Sequence, residues 1–285
     1  MATGTTEFVD ITTADVFIPE TWSLEAVVAR EKRTVFARLV NRVFEKDAKI
    51  GDTVHVPSVT DLTARTKSAN TAITFETQTE TNTNITIGTD QYAAMAVESI
   101  VALQANRDMF ALYAGKMGYA LDLAVDDVLA GLPDDVTNTV GTLAADLTYD
   151  ELLRARQYLD DADVPEENRV IVVSPAQESG FMKLEHFINR NYTEGNGVQK
   201  GDGDKGYIGS WLSMPVYKTT NAEGTNAAGH DNVMFHKEAF GLVMQMKPKS
   251  RFQNDINYLV DKVVMEQVYG TQEMRDDHAV WMKGA

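Results

Sequence analysis

The longest periodic segment of this chain runs from Gln104 to Leu132, and it constrains the fold more than any other segment. Its apolar residues recur at three- and four-residue spacing, which places them along one face of a helix. They are Phe110, Tyr113, Met117, Leu121, Ala124 and Val128. Gly131 and Pro133 end the pattern, because proline cannot continue a helix. At about 1.5 Å per residue, the segment predicts a rod roughly 40 Å long around which a domain must be built.

A second segment follows the pattern of an unusually long strand. From Ile73 to Ile87 one set of apolar and threonine side chains alternates strictly with a second set of polar side chains. This period of two covers far more residues than the roughly five or six of a usual strand. Val54 to Val59 alternates in the same way, with Pro57 indicating an edge position, and the polar residues 61–70 between the two segments predict a turn. Residues 51–90 therefore predict an extended β-hairpin.

The middle of this hairpin has little apolar surface of its own, because threonines and amides occupy both faces. An isolated two-stranded hairpin is marginally stable in water, so this one needs a partner surface. It is either the outer hairpin of an ordinary sheet, which would require one apolar face, or a contact with a neighbouring subunit. We favour the second, because long exposed edges are normally paired or blunted. The candidates for intersubunit contact are Arg65, Lys67, Ile73 and Phe75, with the two cations facing a neighbour's acidic surface.

The N-terminal region predicts an extended arm followed by a helix. Residues 1–20 show no sustained period, and Pro19 closes them. From Thr21 to about Phe44 the apolar residues take helical spacing, and Gly51 follows as a stop signal.

The second half of the chain predicts an α/β or α+β domain, roughly 140–250, in which capped helices alternate with apolar strands. One helix starts at Thr148 with a capping box to Glu151, and another starts at Ser174 with a second box to Gln177. The strands predicted here and beyond cover 170–173, 214–219, 232–236, 241–246 and 256–268. A last strand within 276–285 is predicted to return to the domain that contains the long helix and to complete it.

Charge and composition exclude several classes of protein. The net charge is −16, from 26 basic and 42 acidic side chains, and the chain has no basic run that would bind phosphates. No apolar segment approaches the roughly 18 residues of a membrane span, and the acidic N-terminus lacks the pattern of a signal peptide. The absence of cysteine excludes disulfides and cysteine metal sites and fits assembly in a reducing cytoplasm.

No motif in the chain predicts an active site. The histidines lack the spacing of a zinc-binding helix and are interpreted as structural: His55, His186, His230, His236 and His278. The GxGxxG match at Gly201–Gly206 follows a polar loop and contains two aspartates, so it is interpreted as a flexible loop.

Two groups of aspartates could in principle hold Ca²⁺, but the EF-hand order of ligands is absent. A solvated acidic surface is the favoured interpretation. The groups are Asp122, Asp126 and Asp127 on the long helix and Asp160, Asp161 and Asp163 in a loop. We therefore expect no cofactor, no bound metal and no enzymatic activity.

Taken in order, the segments resemble the major capsid proteins of tailed bacteriophages with the Hong Kong 97-type fold. The resemblance rests on the order and spacing of degenerate segments rather than on one motif. They are FIPETWSLEAVVAREKRTVFARLVNRVFEKDAKIGDTVHVP, the threonine-rich hairpin, the long helix, NRVIVVSPAQESGFMKLEHF, GYIGSWLSMPVYKTTN, VMFHKEAFGLVMQMK and DKVVMEQVYGTQEMRDDHAVWM.

The resemblance implies a division of the chain. Residues 1–50 would be the N-terminal arm and first helix, and 51–90 the extended loop (E-loop). Residues 91–139 and 251–285 would form the peripheral domain with its long spine helix, and 140–250 the axial domain.

The resemblance also implies a function: a shell subunit that assembles as pentamers and hexamers into the icosahedral head around phage DNA, without binding that DNA specifically. The protein would be part of the virion and would be assembled in the host cytoplasm. Expected partners are a portal, a decoration protein and a scaffolding protein. Only about twenty residues precede the first helix, so the resemblance implies that the scaffolding protein is a separate one, or that there is none.

Some members of this family crosslink a lysine of the extended loop to an asparagine of the peripheral domain. Lys67 and either Asn254 or Asn257 would correspond here, although noncovalent assembly is the default expectation.

Two alternatives stay open at this point. One is an encapsulin-like nanocompartment shell, and the other is an α/β enzyme that binds a nucleotide at Gly201–Gly206.

Overall fold

The computed structural model describes residues 32, 34–46, 48–59, 62–77, 80–98, 109–184, 206–225 and 227–285. Within these ranges there are four α-helices: α1 Phe36–Leu39, α2 Met109–Gly131, α3 Tyr149–Asp161 and α4 Pro175–Phe181. The β-strands of the same ranges are β1 Thr53–Val59, β2 Glu80–Thr86, β3 Thr89–Glu98, β4 Thr139–Gly141, β5 Arg169–Val173, β6 Tyr207–Trp211, β7 Met214–Lys218, β8 Gly224–Thr225, β9 Gly229–His236, β10 Phe240–Asp255, β11 Val260–Glu273 and β12 Ala279–Gly284. Short 3₁₀ turns occupy Val43–Lys46, Leu132–Asp135 and Asp276–His278.

The strands form three sheets. β1 and β2 pair alone as an antiparallel hairpin, and β10, β11 and β3 form an antiparallel sheet in that order. The largest sheet has the order β4-β12-β9-β5-β7-β6, with β8 paired to β9. This sheet is mixed, because β4 pairs in parallel with β12 and β5 in parallel with β7.

The largest sheet separates two apolar clusters, which makes this part of the protein three layers deep. On β5, Val170 and Val172 belong to the cluster that contains α1 and the end of α2. Ile171 and Val173 belong to the cluster beneath α3. All five residues of β5 are buried, as expected for a strand covered on both faces. The covering on both faces explains why residues 170–173 of this strand form a continuous apolar run.

The long helix α2 exists as predicted and ends at Gly131, but its buried face differs from the predicted stripe. Met117 and Leu121 are buried, whereas Tyr113 and Val128 are 42% and 39% exposed. The buried face continues instead through Val125 and Leu129, at four-residue intervals, and the side chain of Phe110 is outside the described part. Residues at four-residue intervals form a row that is inclined to the helix axis, so this row winds slowly around the helix. The predicted stripe, which mixes three- and four-residue intervals, runs straight along the helix.

The predicted helix from Thr21 to about Phe44 is wrong at its C-terminal end. Helix α1 stops at Leu39, and Val40 is extended. Asn41 then pairs with β10, because its N–H donates to the Phe240 carbonyl at 3.0 Å and its carbonyl accepts from the Leu242 N–H at 2.9 Å. This strand-like pairing replaces the helical hydrogen bonds that the periodicity predicted. The predicted arm and residues 21–31 lie outside the described residues.

The fifteen-residue strand predicted from Ile73 to Ile87 is also wrong. Strand β2 covers only Glu80–Thr86, and residues 71–77 are not in a strand. The reason is the length of the partner: β1 has seven residues, and all of them are paired, from Thr53 with Thr86 to Val59 with Glu80. Residues 71–77 therefore have no strand to pair with in the part of the chain that the structure describes.

The last predicted strand exists as β12, but it joins a different sheet from the one we expected. It lies between β4 and β9 in the largest sheet, not beside the β3–β11–β10 sheet. Ala279, Val280 and Met282 are all buried, with Ala279 in one apolar cluster and the other two in the second. Such two-sided burial is available only in a sheet that is covered on both faces.

Three further predictions concern local structure. The strand predicted at 256–268 is confirmed from Val260 onward, while 256–259 form a turn. The capping box between Thr148 and Glu151 is confirmed in full. The box at Ser174 forms only by half, because the Gln177 side chain accepts from the Leu147 and Ala285 N–H groups at 3.2 Å each. None of the described helices has the length and apolarity needed to cross a membrane.

Candidate functional site

The loop between β1 and β2, residues 62–77, exposes large apolar side chains. Leu62 is 72% exposed, Ile73 60% and Phe75 85%. They line a groove of about 540 Å³ between the two limbs of the loop. A cluster of this kind on a projecting segment is typical of a surface that another protein covers.

The base of the same hairpin is packed against the rest of the subunit. Ile85 and Ile87 are buried in a cluster with Val243 of β10. The Gln245 side chain donates to the carbonyls of Ala48 and Gly51, at 3.0 and 2.8 Å. The subunit thus holds the base of the hairpin firmly and presents residues 62–77 outward.

The two cations predicted to contact a neighbour have different surroundings. The Arg65 Nε donates to Oε1 of Glu76 at 2.8 Å, and Oε2 of Glu76 accepts from the Thr63 N–H at 3.2 Å. Arg65 therefore braces the loop within its own subunit. Lys67 is exposed and makes no ion pair with the residues that the structure describes. The intersubunit contacts of Arg65, Lys67, Ile73 and Phe75 remain predictions.

The tip of the β10–β11 hairpin is a second exposed apolar surface, and the sequence analysis missed it. Four large side chains project there: Phe252 (71% exposed), Ile256 (81%), Tyr258 (74%) and Leu259 (67%). Apolar residues in a tight turn were the available signal, because turns usually carry glycine, proline, asparagine or aspartate. The prediction of a strand from residue 256 onward concealed that signal for 256–259.

The two asparagines considered for crosslinking lie at this tip. The Asn254 amide donates to Oδ1 of Asp261 at 2.6 Å, and the Asn257 N–H donates to Asp255 at 3.0 Å. The ion pair of Asp255 with Lys262, at 2.6 Å, lowers the pKa of that carboxyl. Hydrogen bonds and an ion pair therefore stabilise the tip of this hairpin, and apolar side chains surround it.

Strand β10 also carries a row of cations that the sequence analysis overlooked because single residues interrupt it. Lys247, Lys249 and Arg251 alternate along the outer strand of its sheet and are all exposed. Arg251 forms an ion pair with Glu266 of β11. In a chain of net charge −16, this row is a local region of opposite sign.

The predicted acidic clusters do not hold together as groups. Asp126 is fully buried and accepts the N–H groups of Val35 and Ala37, at 3.0 and 3.2 Å, so it ties the start of α1 to α2. Burial raises the pKa of Asp126, against the backbone hydrogen bonds, which lower it. Asp160 pairs with the buried Arg169 at 2.5 Å. The solvated-surface interpretation is thus wrong for Asp126, whose role is to anchor the chain segment before α1.

Glu273, at the end of β11, lies in an acidic environment near two aspartates. Burial is the largest cause that raises its pKa to about 7, and the negative charges of Asp276 and Asp135 add to it. The Asp276 carboxylate itself accepts the Thr137 N–H at 2.7 Å. The protonated form of Glu273 is therefore the stable one in the folded subunit at mildly acidic pH.

We expect Glu273→Gln to stabilise the subunit at pH 8 more than at pH 4.5. A carboxyl whose pKa is higher in the folded state than in the unfolded state favours folding at low pH, and this contribution is lost as the pH rises. The wild-type subunit should lose this contribution between pH 4.5, the ordinary pKa of the carboxyl, and a pH of about 7, its pKa in the folded state. Thermal melting of both proteins at several pH values measures it. A difference in melting temperature that is the same at every pH would contradict the assignment.

Two of the histidines come together in space although the sequence keeps them far apart. The rings of His236 and His278 are in edge contact, with their centroids 5.7 Å apart, and both residues are 5% exposed. Burial lowers the pKa of His236. His55 instead contacts Asn84 on β2 at 2.6 Å, and His186 lies outside the described residues. Residues 201–205, which carry most of the GxGxxG match, also lie outside the described residues.

Comparison with known proteins shows one family and one fold. Residues 30–275 match the family model described as phage capsid protein. A search of curated proteins finds none that matches the chain.

Three solved structures illustrate the fold. One, from Mycobacterium phage Che8, is 24% identical, with a TM-score of 0.80 over 94% of this chain and 98% of that one. The capsid structure of Cyanophage P-SCSP1u is 18% identical, with a TM-score of 0.75 over 96% and 94% of the two chains. The mature capsid of bacteriophage PhiM1 is 14% identical, with a TM-score of 0.71 over 94% and 92%. At these identities the structures show a common fold.

Proposed function

Because this chain belongs to the phage capsid protein family, we propose that its copies close into an icosahedral head shell, as pentamers and hexamers around packaged DNA. The family match and the fold confirm the resemblance to major capsid proteins and the α+β class with the Hong Kong 97-type fold. They lend no support to a nucleotide-binding enzyme or to an encapsulin-like shell. The observation that carries the assembly proposal is the loop 62–77, which projects apolar side chains that its own subunit leaves uncovered.

We assign the parts of the subunit as the sequence suggested, with two exceptions. Residues 1–50 are the N-terminal arm and first helix, and 51–90 the extended loop. Residues 91–139 and 251–285 form the peripheral domain, and 140–250 the axial domain. One exception is β12, which pairs with the strands of the axial part, so the chain returns to that part at its C-terminal strand. The other is β10, which crosses the bound at residue 250 and pairs along its length with β11 of the peripheral part. Helix α2, β3 and β11 fit the peripheral assignment.

The exposed side chains of the loop indicate how much free energy assembly can gain. Burying a large apolar side chain contributes about 1.5–3 kcal/mol, whereas an exposed ion pair contributes about 0–1 kcal/mol. Leu62, Ile73 and Phe75 would therefore dominate over Lys67 in a contact with a neighbour. Every subunit repeats the contact, so a small gain per subunit accumulates over a shell.

We expect Phe75→Ala to weaken assembly more than Lys67→Ala does. The phenyl ring is 85% exposed in the subunit, so its removal costs little folding stability but loses the full burial at an interface. The yield of closed particles as a function of subunit concentration, measured by sedimentation, compares the two variants. Equal yields, or a larger loss with Lys67→Ala, would mean that charge governs this contact.

The charge distribution supports contacts of a second kind. Copies with net charge −16 repel one another, so assembly needs local regions of opposite sign. Lys247, Lys249 and Arg251 on the edge strand β10 supply such a region for the acidic surface of a neighbour. The overall negative charge also disfavours tight binding to the packaged DNA, which must remain free to leave.

The remaining assignments extend the same proposal. The protein acts as a structural component of the virion, without enzymatic activity, and is assembled in the host cytoplasm. Its partners are further copies of itself, a portal, a scaffolding protein and a decoration protein. Noncovalent contacts hold the shell in this proposal, and the Asn254 amide donates to Asp261 within its own hairpin.

Electron microscopy of particles purified from an infected or expressing culture tests the proposal. The expected result is icosahedral shells built from this chain, filled with DNA in the infected culture. Smaller shells that contain a cargo enzyme in place of DNA would indicate a nanocompartment. A small soluble oligomer that binds nucleotide would overturn the shell function altogether.

A further inference from the structure

The pairing register of β9 and β12 brings His236 and His278 together. In this antiparallel pair Phe235 lies opposite Ala279, so the next residues outward, His236 and His278, face each other just beyond the ladder. Opposite residues of antiparallel strands have Cβ atoms about 4.5–5.5 Å apart, which accounts for the edge contact of the two rings. Neither ring was expected to have a histidine partner from its position in the sequence.

The chain then turns so that Glu238 joins the two histidines. The turn after β9 is pinned by the Ala239 carbonyl, which accepts from the N–H groups of Met274 and Arg275 at 2.7 and 3.3 Å. One ring nitrogen of each histidine and one carboxylate oxygen of Glu238 all lie within 4.8 Å of one another. Two imidazoles and a carboxylate form a ligand set that zinc commonly takes in proteins. The histidines are buried and Glu238 is exposed, so the group opens to solvent on the glutamate side.

The hydrogen bonds around the rings leave one nitrogen of each with a lone pair. The Nδ1–H of His278 donates to Asp277 at 2.9 Å, so its Nε2 carries the lone pair, and Arg275 approaches that atom only at 3.4 Å. The Nδ1 of His236 accepts a long hydrogen bond, 3.3 Å, from the Glu238 N–H. A carboxylate on the far nitrogen is the usual way in which a metal-binding histidine is oriented.

From this geometry we propose that His236, His278 and Glu238 bind a divalent transition-metal cation of the zinc class, with Asp277 as the positioning residue of His278. Tetrahedral zinc with bonds of about 2.0–2.1 Å needs ligand atoms roughly 3.4 Å apart, so atoms that lie within 4.8 Å of one another must move closer together. Glu238 and Arg275 are both exposed, which allows the carboxylate to close in and the guanidinium to withdraw. Water would take the fourth position on the open side. The metal would then join the β9–β10 turn to the segment that precedes β12.

Calorimetric titration of ZnCl₂ into the full-length protein, first stripped with a chelator, tests this proposal without reference to shell formation. We expect one saturable site per chain, and a melting temperature that rises with zinc because the metal binds the folded state. Glu238→Gln and His278→Gln should each weaken binding at least about tenfold, and Asp277→Asn should weaken it by roughly 10–100-fold. His55→Gln is the matched control, since His55 is an exposed histidine on β1, and it should leave the affinity unchanged.

Glu238→Gln changes an exposed side chain, so it should fold and keep the proposal testable even if a histidine variant does not. The melting temperature without metal verifies that this variant is folded. No saturable site in the wild type would overturn the proposal. Binding that survives both Glu238→Gln and His278→Gln with unchanged affinity would overturn it as well, because the zinc would then bind elsewhere on the acidic surface.

Discussion

A subunit that carries Leu121→Asp should fail to fold. Leu121 is 3% exposed in the middle of α2, and the same residue's carbonyl accepts from the buried Gln267 side chain at 2.9 Å. The substitution removes a buried leucine, which costs about 2–5 kcal/mol, and adds an unpaired carboxylate, which costs several kcal/mol more. Together these approach or exceed the roughly 5–15 kcal/mol by which a typical domain is stable. Circular dichroism and thermal melting of the purified variant measure the outcome.

Val128→Asp on the same helix is the matched control, because it introduces the same charge at a position that is 39% exposed. It should melt close to the wild-type temperature. The sequence stripe places Val128 and Leu121 on one buried face, so the pair of variants distinguishes the predicted face from the observed one. A native-like melting curve for Leu121→Asp would mean that this face of α2 does not form the core.

Replacement of residues 60–79 by a short Gly-Ser turn should give a folded subunit that cannot close shells. Val59 and Glu80 face each other at the end of the β1–β2 ladder, so a tight turn can join them without disturbing the paired strands. The buried residues of the hairpin, Ile85 and Ile87, lie at its base and remain. What is removed is the exposed loop, which contributes little to the core and carries the exposed apolar side chains of Leu62, Ile73 and Phe75.

A companion variant keeps the loop at full length and changes Leu62, Ile73 and Phe75 to serine. If burial of these apolar side chains drives assembly, this variant should also fail to form shells. If the length of the loop alone is enough for assembly, the variant should form them. Sedimentation measures assembly, and thermal melting measures folding. Normal shells from the shortened loop would refute its intersubunit role, and an unfolded subunit would place the loop in the core.

Local sequence signals predicted the elements that depend on neighbours a few residues away. The end of α2 at Gly131 followed from the Pro133 that comes after it, and the start of α3 from the capping box of Thr148 and Glu151. Strand β5 followed from its continuous apolar residues. The order of such segments along the chain was enough to indicate the family, because order and spacing survive where individual residues vary.

The candidate surface was predicted only in part. The sequence singled out Ile73 and Phe75, and both are exposed on the projecting loop. It missed Phe252 and the turn residues 256–259, because an apolar residue in the sequence does not reveal whether a partner within the subunit covers it. It also paired Arg65 with a neighbour, while Glu76 of the same loop lies within hydrogen-bonding distance.

The sequence by itself determined the end of α2, the start of α3 and the position of β5, where a proline, a cap and an apolar run marked the place. Tertiary structure alone decided which face of α2 is buried, that Asp126 anchors the segment before α1, and that β12 joins the largest sheet. The physical reason is the range of the interactions. Helix periodicity and capping act over about four residues, whereas strand pairing and burial depend on residues far away in the chain, whose positions only the folded protein supplies.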